Sequence, residues 1–323
     1  MEPIKFEPIL KEKIWGGEKL NRFLNKKSDK ENIGESWEIS SVENDISIVA
    51  NGKDKGLSLT KMIAKYKGRL VGEKVFKQFG EKFPLLIKFI DAKEALSIQL
   101  HPNDELAKKR HDSFGKTEMW YVMQADKKAN LIVGFKEKVS KKEYKKHLKE
   151  KTLSRILNTD TVSKGDAYFI PTGRVHAIGA GVLLAEIQQT SDVTYRIYDW
   201  DRQDDNGNYR DLHTSDALDA IDFKVKKSYK TAYKKKRNKI QPLISCPYFK
   251  TGILLVDGQI QISNNDIDSF VIYMCVAGKA TFEYQDSKKI KLQMGETILI
   301  PNALKEYKIT SNDKTDLLEV YID

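Results

Sequence analysis

The stretch KGDAYFIPTGRVHAI spans residues 164–178, and it indicates the fold class of this chain. A Gly and an acidic residue precede a short apolar strand, a Pro ends that strand, and a second strand follows. The stretch MGETILIPNALKEYKI at 294–309 has the same order. Gly and Pro are the residues that most often turn a chain between elements. The two stretches therefore predict two similar jelly-roll units built from short strands.

Short strand patterns continue on both sides of these stretches. Alternation or continuous apolar character marks SWEISS (36–41), FPLLIKFIDA (83–92), ALSIQLH (95–101) and TEMWYVMQA (117–125). Residues 240–323 read as strands almost throughout, with Gly, Asn or Asp between them. We predict a mainly β protein with two cupin-like jelly-roll β-barrels and a few short helices.

Helices are predicted where a capping residue precedes apolar residues at helical spacing. Four such stretches occur, at 57–66, 103–111, 139–157 and 212–223. The third is the clearest, because Ser140 is a good N-cap and Tyr144, Leu148 and Leu153 lie near helical spacing.

The overall composition is that of an ordinary globular chain. The chain has 323 residues, of which 40% are hydrophobic and 32% charged, and it contains two cysteines. Too few cysteines are present for a disulfide scaffold or a Cys-rich zinc site. No apolar run approaches the roughly 18 residues that span a bilayer, and the N-terminus lacks the apolar region of a secretory signal. We expect a cytoplasmic protein that does not engage a membrane.

The positive net charge comes from one segment. Lys and Arg number 56 against 46 Asp and Glu, giving +10, and residues 224–239 hold nine Lys or Arg and no acid. Such a tract with tyrosines resembles a nucleic-acid patch or a solvated linker. We favour the linker and expect no nucleic-acid partner. The predicted organisation is a catalytic, metal-binding domain at 1–223, a basic connector at 224–239, and a metal-free β domain at 240–323.

The histidines direct attention to the first unit. The five lie at positions 101, 111, 147, 176 and 213, so the second unit has none. In SIQLHP (97–102), Ser97, Gln99 and His101 share one face of a strand because alternate side chains point the same way. No comparable set of polar residues accompanies the other three histidines. We interpret His111, His147 and His213 as surface, capping or packing residues.

Further candidate ligands come from the following strands. Lys116 and Glu118 share one face in GKTEMWYV (115–122), and His176 follows the turn at Pro171. Two His, one Glu and one Gln from separate strands make a nitrogen and oxygen ligand set. Zinc accepts such a set, and two His with one carboxylate also suit Fe(II). The ligand types alone leave both metals open.

A buried arginine is the next candidate. In QQTSDVTYRIYDWDR (188–202), Thr194, Arg196 and Tyr198 alternate on one strand. An arginine inside a strand is costly unless it is paired with an anion, and its planar fork suits phosphate or carboxylate. Arg196 therefore either binds an anionic ligand or pairs with a nearby acid such as Asp199.

Together these segments closely resemble the type I phosphomannose isomerases, in their short bacterial form. The matching motifs run in family order over about the first 215 residues. They are WGG (15–17), GESWEIS (34–40), FPLLIKFIDAKEALSIQLHPND (83–104), GKTEMWYV (115–122), PTGRVHAIGAG (171–181) and EIQQTSDVTYRIYDWDR (186–202). The second unit resembles the family's second cupin more loosely.

The resemblance implies a zinc enzyme that interconverts mannose 6-phosphate and fructose 6-phosphate. It implies one Zn²⁺ per chain and a phosphosugar as the partner. The family's metal ligands fall on Gln99, His101, Glu118 and His176. Its catalytic arginine and lysine fall on Arg196 and Lys116. Ser97, Lys116 and Arg196 are expected to bind substrate. We expect a monomer or a weak homodimer.

Isomerisation would move a proton between C2 and C1 through a cis-enediol, with a metal stabilising the charge on the oxygens. The C2 base stays open among hydroxide on the metal, Lys116 with a lowered pKa, and a carboxylate. Three alternatives also stay open. They are a non-haem Fe(II) cupin oxygenase, a related sugar-phosphate isomerase of different epimer preference, and a non-enzymatic two-barrel binding protein.

Overall fold

The computed structural model describes residues 1–204 and 206–323 and consists mainly of β-strands. The strands of the first unit are β1 (Ile9–Gly17), β2 (Ile33–Ile39), β3 (Ser41–Val42), β4 (Asp45–Ile46), β5 (Leu85–Ala92), β6 (Ile98–Leu100), β7 (Glu118–Ala125), β8 (Asn130–Phe135), β9 (Leu157–Thr161), β10 (Ala167–Ile170), β11 (His176–Ile178), β12 (Val182–Gln189) and β13 (Tyr195–Tyr198). Those of the second unit are β14 (Gln241–Ser245), β15 (Lys250–Ser263), β16 (Val271–Ala277), β17 (Lys279–Tyr284), β18 (Lys288–Gln293), β19 (Thr297–Ile300) and β20 (Glu306–Tyr321).

The helices are short and all lie in the first unit of the described chain. They are α1 (Lys19–Leu24), α2 (Leu59–Tyr66), α3 (Gly68–Val71), α4 (Glu73–Phe79), α5 (Asp104–His111), α6 (Lys141–Lys149) and α7 (Thr214–Ala220), with a 3₁₀ turn at Leu153–Arg155. None of the helices in the described residues is long and apolar enough to cross a membrane.

Two sheets form the first unit. The larger has the order β1-β2-β5-β12-β7-β10 and the smaller has the order β13-β6-β11-β8-β9, with antiparallel neighbours throughout. The jelly-roll prediction is confirmed in this arrangement. In the described residues the edge strands of the two sheets do not pair with each other, so the unit is an open sandwich rather than a closed barrel. The opening leaves room for a cavity between the sheets.

The second unit is built around two long strands. β15 and β20 pair along nearly their whole length. β16 pairs with one half of β20 and β17 with the other half, so that these long strands bend through both layers of the unit. The bend falls where the pairing register shifts between Val256 and Gly258. A β-bulge of this kind increases the local twist and lets one strand serve two sheets.

The paired sequence stretches occupy equivalent positions in the two units. β10 follows Gly165 and β19 follows Gly295, and both glycines have positive φ, of 93° and 86°. Residues other than glycine rarely adopt this backbone conformation. The shared Gly-acid-strand-Pro order therefore reflects the same turn into the same kind of strand.

The larger sheet is buried on both faces. Its inner face carries polar side chains, including Lys88, Glu118 and Glu186, toward the smaller sheet. Its outer face carries residues such as Phe89 and Ile187, which join a hydrophobic cluster that also contains side chains of α2–α4 and of the second unit. The two units thus share one core, and the inner polar layer is packed on a rigid apolar support.

All four predicted helices are present, but α6 and α7 end earlier than predicted, and α1, α3 and α4 were not predicted. Ser58 and Asn103 cap α2 and α5 through side-chain hydrogen bonds, and Ser140 forms a capping box with Glu143 at α6. The prediction of one helix over 139–157 is wrong, because α6 ends at Lys149 and Leu157 begins β9. Lys151 has a φ of +55°, which breaks the helical backbone. The apolar residues beyond it are buried by a turn and a strand instead.

The basic connector 224–239 is mostly exposed, but two tyrosines anchor it. The Tyr229 side chain is buried, and its hydroxyl donates to the Phe135 carbonyl at 2.9 Å. The Tyr233 hydroxyl donates to the Gly165 carbonyl. Among the cations, Lys235 pairs with Asp316 of the second unit at 2.5 Å. The tract therefore runs along both units and keeps most of its charge in water.

Replacing the three lysines at 234–236 with Ser should leave turnover nearly unchanged. The only ion pair this removes from the described contacts is the partly exposed one to Asp316, and such pairs contribute about 0.2–1 kcal/mol. Steady-state kinetics and urea unfolding measure both quantities. A large loss of turnover in a variant of parental stability would show that these charges recruit an anionic substrate.

A buried hydrogen-bonded network lies inside the second unit. The Tyr273 hydroxyl donates to Glu319 at 2.9 Å and lies 2.9 Å from the Tyr307 hydroxyl, which accepts from Asn264 at 3.0 Å. Burial raises the pKa of Glu319 to about 7. The carboxyl is therefore protonated in the folded protein at pH values where it is ionised in the unfolded chain.

The unfolding free energy should fall as pH rises from about 4.5 to about 7, because the folded state retains a proton that the unfolded state has lost. A shift of this size corresponds to at most about 3 kcal/mol. Urea unfolding across this pH range measures it, with Glu319→Gln expected to flatten the profile. Glu306→Gln, at the exposed start of the same strand, is the matched control. A parental profile that Glu319→Gln leaves unchanged would contradict the prediction.

Candidate metal centre and active site

Three buried side chains converge between the sheets of the first unit. His101 Nε2 lies 3.5 Å from Glu118 Oε2, and His176 Nε2 lies 3.4 Å from Glu118 Oε1. All three residues are about 1% exposed. Glu118 Oε1 and Oε2 and His101 Nε2 have no hydrogen-bond donor or acceptor among the described residues. Buried polar atoms are almost always satisfied, so this cluster has the geometry of a cation site.

The second nitrogen of each imidazole is held by the backbone. His101 Nδ1 lies 2.9 Å from the Val193 carbonyl, and His176 Nδ1 lies 2.8 Å from the Arg174 carbonyl. A carbonyl only accepts, so each Nδ1 donates and each Nε2 presents a lone pair to the centre. Burial also keeps the pKa of both histidines below its ordinary value. Neutral imidazoles oriented in this way are the usual metal ligands.

The cross-strand register places Gln99 at the edge of the same centre. Gln99 on β6 pairs with His176 on β11 and with Arg196 on β13. Its amide nitrogen lies 3.4 Å from His176 Nε2, and its amide oxygen accepts from Ser97 at 3.1 Å. A half-turn of the amide would present the oxygen to the centre instead. Ser97, Gln99 and His101 share the inward face, as alternation predicts.

A second layer of charges surrounds the centre. Lys116 Nζ lies 3.8 Å from Glu118, and Lys88 Nζ lies 3.3 Å from Glu186 and 3.8 Å from Glu35. Burial opposes the charge on Lys88, yet Glu35 and Glu186 raise its pKa. Burial and then the Lys88 charge lower the pKa of Lys116. The pKa values of these two lysines thus shift in opposite directions; among the described residues, two carboxylates lie within 4.0 Å of Lys88 and one lies within 4.0 Å of Lys116.

Indole groups fix the two carboxylates that hold Lys88. Trp37 Nε1 donates to Glu35 at 2.6 Å, and Trp120 Nε1 donates to Glu186 at 2.8 Å. Burial opposes ionisation of Glu35, but Lys88 and Lys13 lower its pKa to about 2. This buried network of Lys, Glu and Trp is absent from the sequence-based prediction.

A cavity of about 330 Å³ with a mainly cationic lining lies beside the centre, and Gln99 is part of its wall. Ser97, Lys116 and Arg196 all line it, together with Lys88, Arg210 and His213. Among the described residues no carboxylate lies within 4.0 Å of the Arg196 guanidinium, which donates to the Asp211 carbonyl at 3.0 Å. Asp199 pairs instead with Arg202 and Arg210. Arg196 therefore retains donors for an anionic ligand.

The alternation predicted around Arg196 holds in the burial of the strand, since Thr194, Arg196 and Tyr198 are less buried than the residues between them. The pairing register of β13 shifts between Arg196 and Tyr198, and Tyr198 packs edge-to-face on Trp200 at 5.3 Å. Thr194 lines the cavity and Tyr198 does not. His213 was expected only to cap or pack; it lies on the cavity wall at the start of α7. The register shift in β13 and the loop that brings His213 to the cavity wall leave no clear signal in a single sequence.

The fold and the centre define a two-unit cupin protein with a metal-capable site in a cationic cavity. Comparison with known families agrees with this class. Residues 4–147 match the type I phosphomannose isomerase catalytic domain, and residues 239–321 match the mannose-6-phosphate isomerase cupin domain. The chain belongs to the type I phosphomannose isomerase family, and it is an enzyme of the isomerase class.

Individual relatives support this membership over the whole chain. A mannose-6-phosphate isomerase of Streptococcus mutans is 32% identical over 308 residues, which cover 95% of each chain. The crystal structure of the mannose 6-phosphate isomerase from Bacillus subtilis is 31% identical, with a TM-score of 0.89 and full coverage of both chains. A phosphomannose isomerase mutant from Salmonella typhimurium, at 18% identity and a TM-score of 0.80, shares the fold. These findings favour the isomerase hypothesis over an oxygenase or a non-enzymatic binding protein.

The double variant His101→Ala/His176→Ala should lose the bound metal ion. It removes two of the three side chains that converge at the centre, leaving one carboxylate with no fixed partner. Elemental analysis of the purified protein measures the metal content per chain. His147→Ala, on α6, is the control that should keep the metal. Full zinc occupancy in the double variant would refute the ligand assignment.

Proposed function

We propose that the chain is a zinc-dependent aldose–ketose isomerase that interconverts mannose 6-phosphate and fructose 6-phosphate through a cis-enediol. The observation that carries this proposal is the buried cluster of His101, Glu118 and His176, which lies next to a cationic cavity. Family membership supplies the reaction class and the phosphosugar substrate. Gln99 is proposed as the fourth ligand.

Zinc is proposed as the metal because the family resemblance implies it, and the nitrogen and oxygen ligands that converge here are ones that zinc accepts. When bound, it would supply Lewis-acid stabilisation to the negative charge that develops on the sugar oxygens. The remaining chemistry belongs to the side chains. The open-chain sugar would lie along the cavity with its C1–C2 end at the centre and its phosphate toward cationic residues. One zinc ion per chain is expected.

Proton transfer between C2 and C1 needs a group of intermediate basicity near the centre. Lys116 is the proposed residue, because it lies next to Glu118 and its pKa is lowered by burial and by Lys88. A base works best when its pKa is near the working pH. Lys88 is held protonated by two carboxylates and would serve instead as a fixed positive charge facing the substrate oxygens.

Arg196 and Ser97 are proposed to hold the substrate. Ser97 has a hydroxyl beside Gln99, within reach of a sugar hydroxyl at the cavity wall. Arg196 has guanidinium hydrogens without a carboxylate partner in the described chain. Its fork geometry suits the oxyanion of the enediolate or the phosphate. We assign it to the enediolate because its strand neighbour is Gln99 at the centre.

The two units are proposed to have different roles. Residues 1–223 would hold the metal and the substrate, residues 224–239 would connect the units, and residues 240–323 would support the larger sheet from its outer face. The shared hydrophobic cluster supports this division of labour. No metal is expected in the second unit, which lacks histidine.

The direct test is an assay of fructose 6-phosphate formed from mannose 6-phosphate. The purified protein is assayed as isolated, after chelator treatment, and after zinc is restored. Turnover that disappears and returns supports the proposal. Oxygen consumption measured in parallel distinguishes an Fe(II) oxygenase. Turnover that persists in demonstrably metal-free protein would refute the zinc-dependent function.

Arg196→Ala should lower kcat and kcat/KM together, with zinc content unchanged. Removing a donor that acts in the transition state typically costs about 10²–10³ in rate, and an equal loss in both constants marks a transition-state contact. Arg237→Ala, in the exposed connector, is the matched control. A rise in KM with near-parental kcat would assign Arg196 to phosphate binding alone.

A further inference from the structure

The loop that leads into Glu118 is held from both sides by two polar side chains. The backbone N–H of Gly115 donates to Asp104 Oδ1 at 2.8 Å. The backbone N–H of Thr117 donates to Gln189 Oε1 at 2.8 Å. Gln189 Nε2 in turn donates to Asp104 Oδ1 at 3.2 Å. The two acceptors therefore bracket Lys116 by holding the backbone N–H groups of the residues before and after it.

The same hydrogen-bonded group also connects to the segments that carry His101 and His176. Asp104 begins α5, three residues after His101. A Cβ atom on Gly115 would lie 2.7 Å from the Asp104 nitrogen, so the loop packs directly on the first turn of that helix. The Gly173 N–H donates to the His101 carbonyl at 2.8 Å, three residues before His176. Movement at Asp104 would therefore reach all three ligand segments.

The second unit contacts this group of side chains through one hydroxyl, that of Tyr248. Tyr248 lies in the turn between β14 and β15, and its hydroxyl donates to Asp104 Oδ2 at 2.6 Å. The two Asp104 oxygens thus have separate tasks, one toward the active-site loop and one toward the second unit. Tyr248 also packs on the hydrophobic cluster shared by the two units, which gives its hydroxyl a fixed position.

We propose that Asp104, Gln189 and Tyr248 are positioning residues that set the backbone of Lys116 and Glu118, so that the second unit stabilises the metal centre of the first. The proposal deepens the proposed function and rests on it for its catalytic consequences. Partners of ligand residues commonly affect metal affinity or activity by about 10–100-fold. A small displacement of a reacting group has a similar effect on rate.

The first readout is local backbone protection, which depends on neither metal nor substrate. Hydrogen exchange of the Gly115 and Thr117 amides is followed in chelator-treated protein. Asp104→Ala should expose both amides, Gln189→Ala mainly Thr117, and Tyr248→Phe should raise exchange at Gly115 by a smaller factor. Asp104→Asn keeps an acceptor for Gly115 and should restore its protection. Tyr321→Phe, partly buried in the same unit, is the control that should change nothing.

The second readout is zinc affinity by chelator competition, with kcat and KM measured on the same variants. Asp104→Ala is expected to lose about 10–100-fold in zinc affinity or kcat, with KM near the parental value. Tyr248→Phe removes only one oxygen atom. It therefore still tests the proposal if Asp104→Ala does not fold. Unchanged exchange and unchanged zinc affinity in folded Asp104→Ala or Tyr248→Phe would overturn the proposal. If the parent protein shows no isomerase turnover, the proposed function is refuted, and the exchange and zinc-affinity results still test the positioning roles.

Discussion

The buried carboxylate of Glu118 is the constraint on which the site depends. Its two oxygens face two neutral imidazoles and have no hydrogen-bond donor among the described residues. An ionised carboxylate buried without a partner costs several kcal/mol. Among the described residues Lys116 is the lysine within 4.0 Å of it, and a cation bound at the centre would offset the rest of this cost. The backbone carbonyls that orient His101 and His176 leave their free nitrogens directed at the same space. The three residues therefore form a site that a cation between them would satisfy.

The larger sheet can hold these buried charges because its inner face is polar and its outer face is apolar. The inner face carries Lys88, Glu118 and Glu186, and the outer face carries an apolar layer that continues into the second unit. Buried charges must be paired or hydrogen-bonded with good geometry. That geometry is kept only if the strands that carry the charges hold their pairing register. The second unit supplies that rigidity across the whole outer face. Its own interior contains aliphatic and aromatic side chains and the buried hydrogen-bonded network of Glu319.

Much of this site was readable from the sequence because it depends on local alternation. Ser97, Gln99 and His101 share a face in any β-strand. In the structure Ser97 and Gln99 line the cavity, and His101 belongs to the metal-capable cluster. Lys88 and Glu186 were missed because each lies inside an apolar run, and only the cross-strand pairing brings them together. Tyr198 keeps the face that alternation predicts but does not line the cavity, and the pairing register shifts after Arg196. Long-range register and bulges are set by the whole sheet, so one strand's sequence does not reveal them.

The central claim is that one divalent ion lies between His101, Glu118 and His176. Anomalous diffraction from a crystal of the zinc-loaded protein, recorded above and below the zinc absorption edge, tests it most directly. The account predicts one strong peak per chain, in contact with the two imidazole nitrogens and the carboxylate. The absence of a peak at this position in zinc-loaded protein, or a peak located only in the second unit, would contradict it.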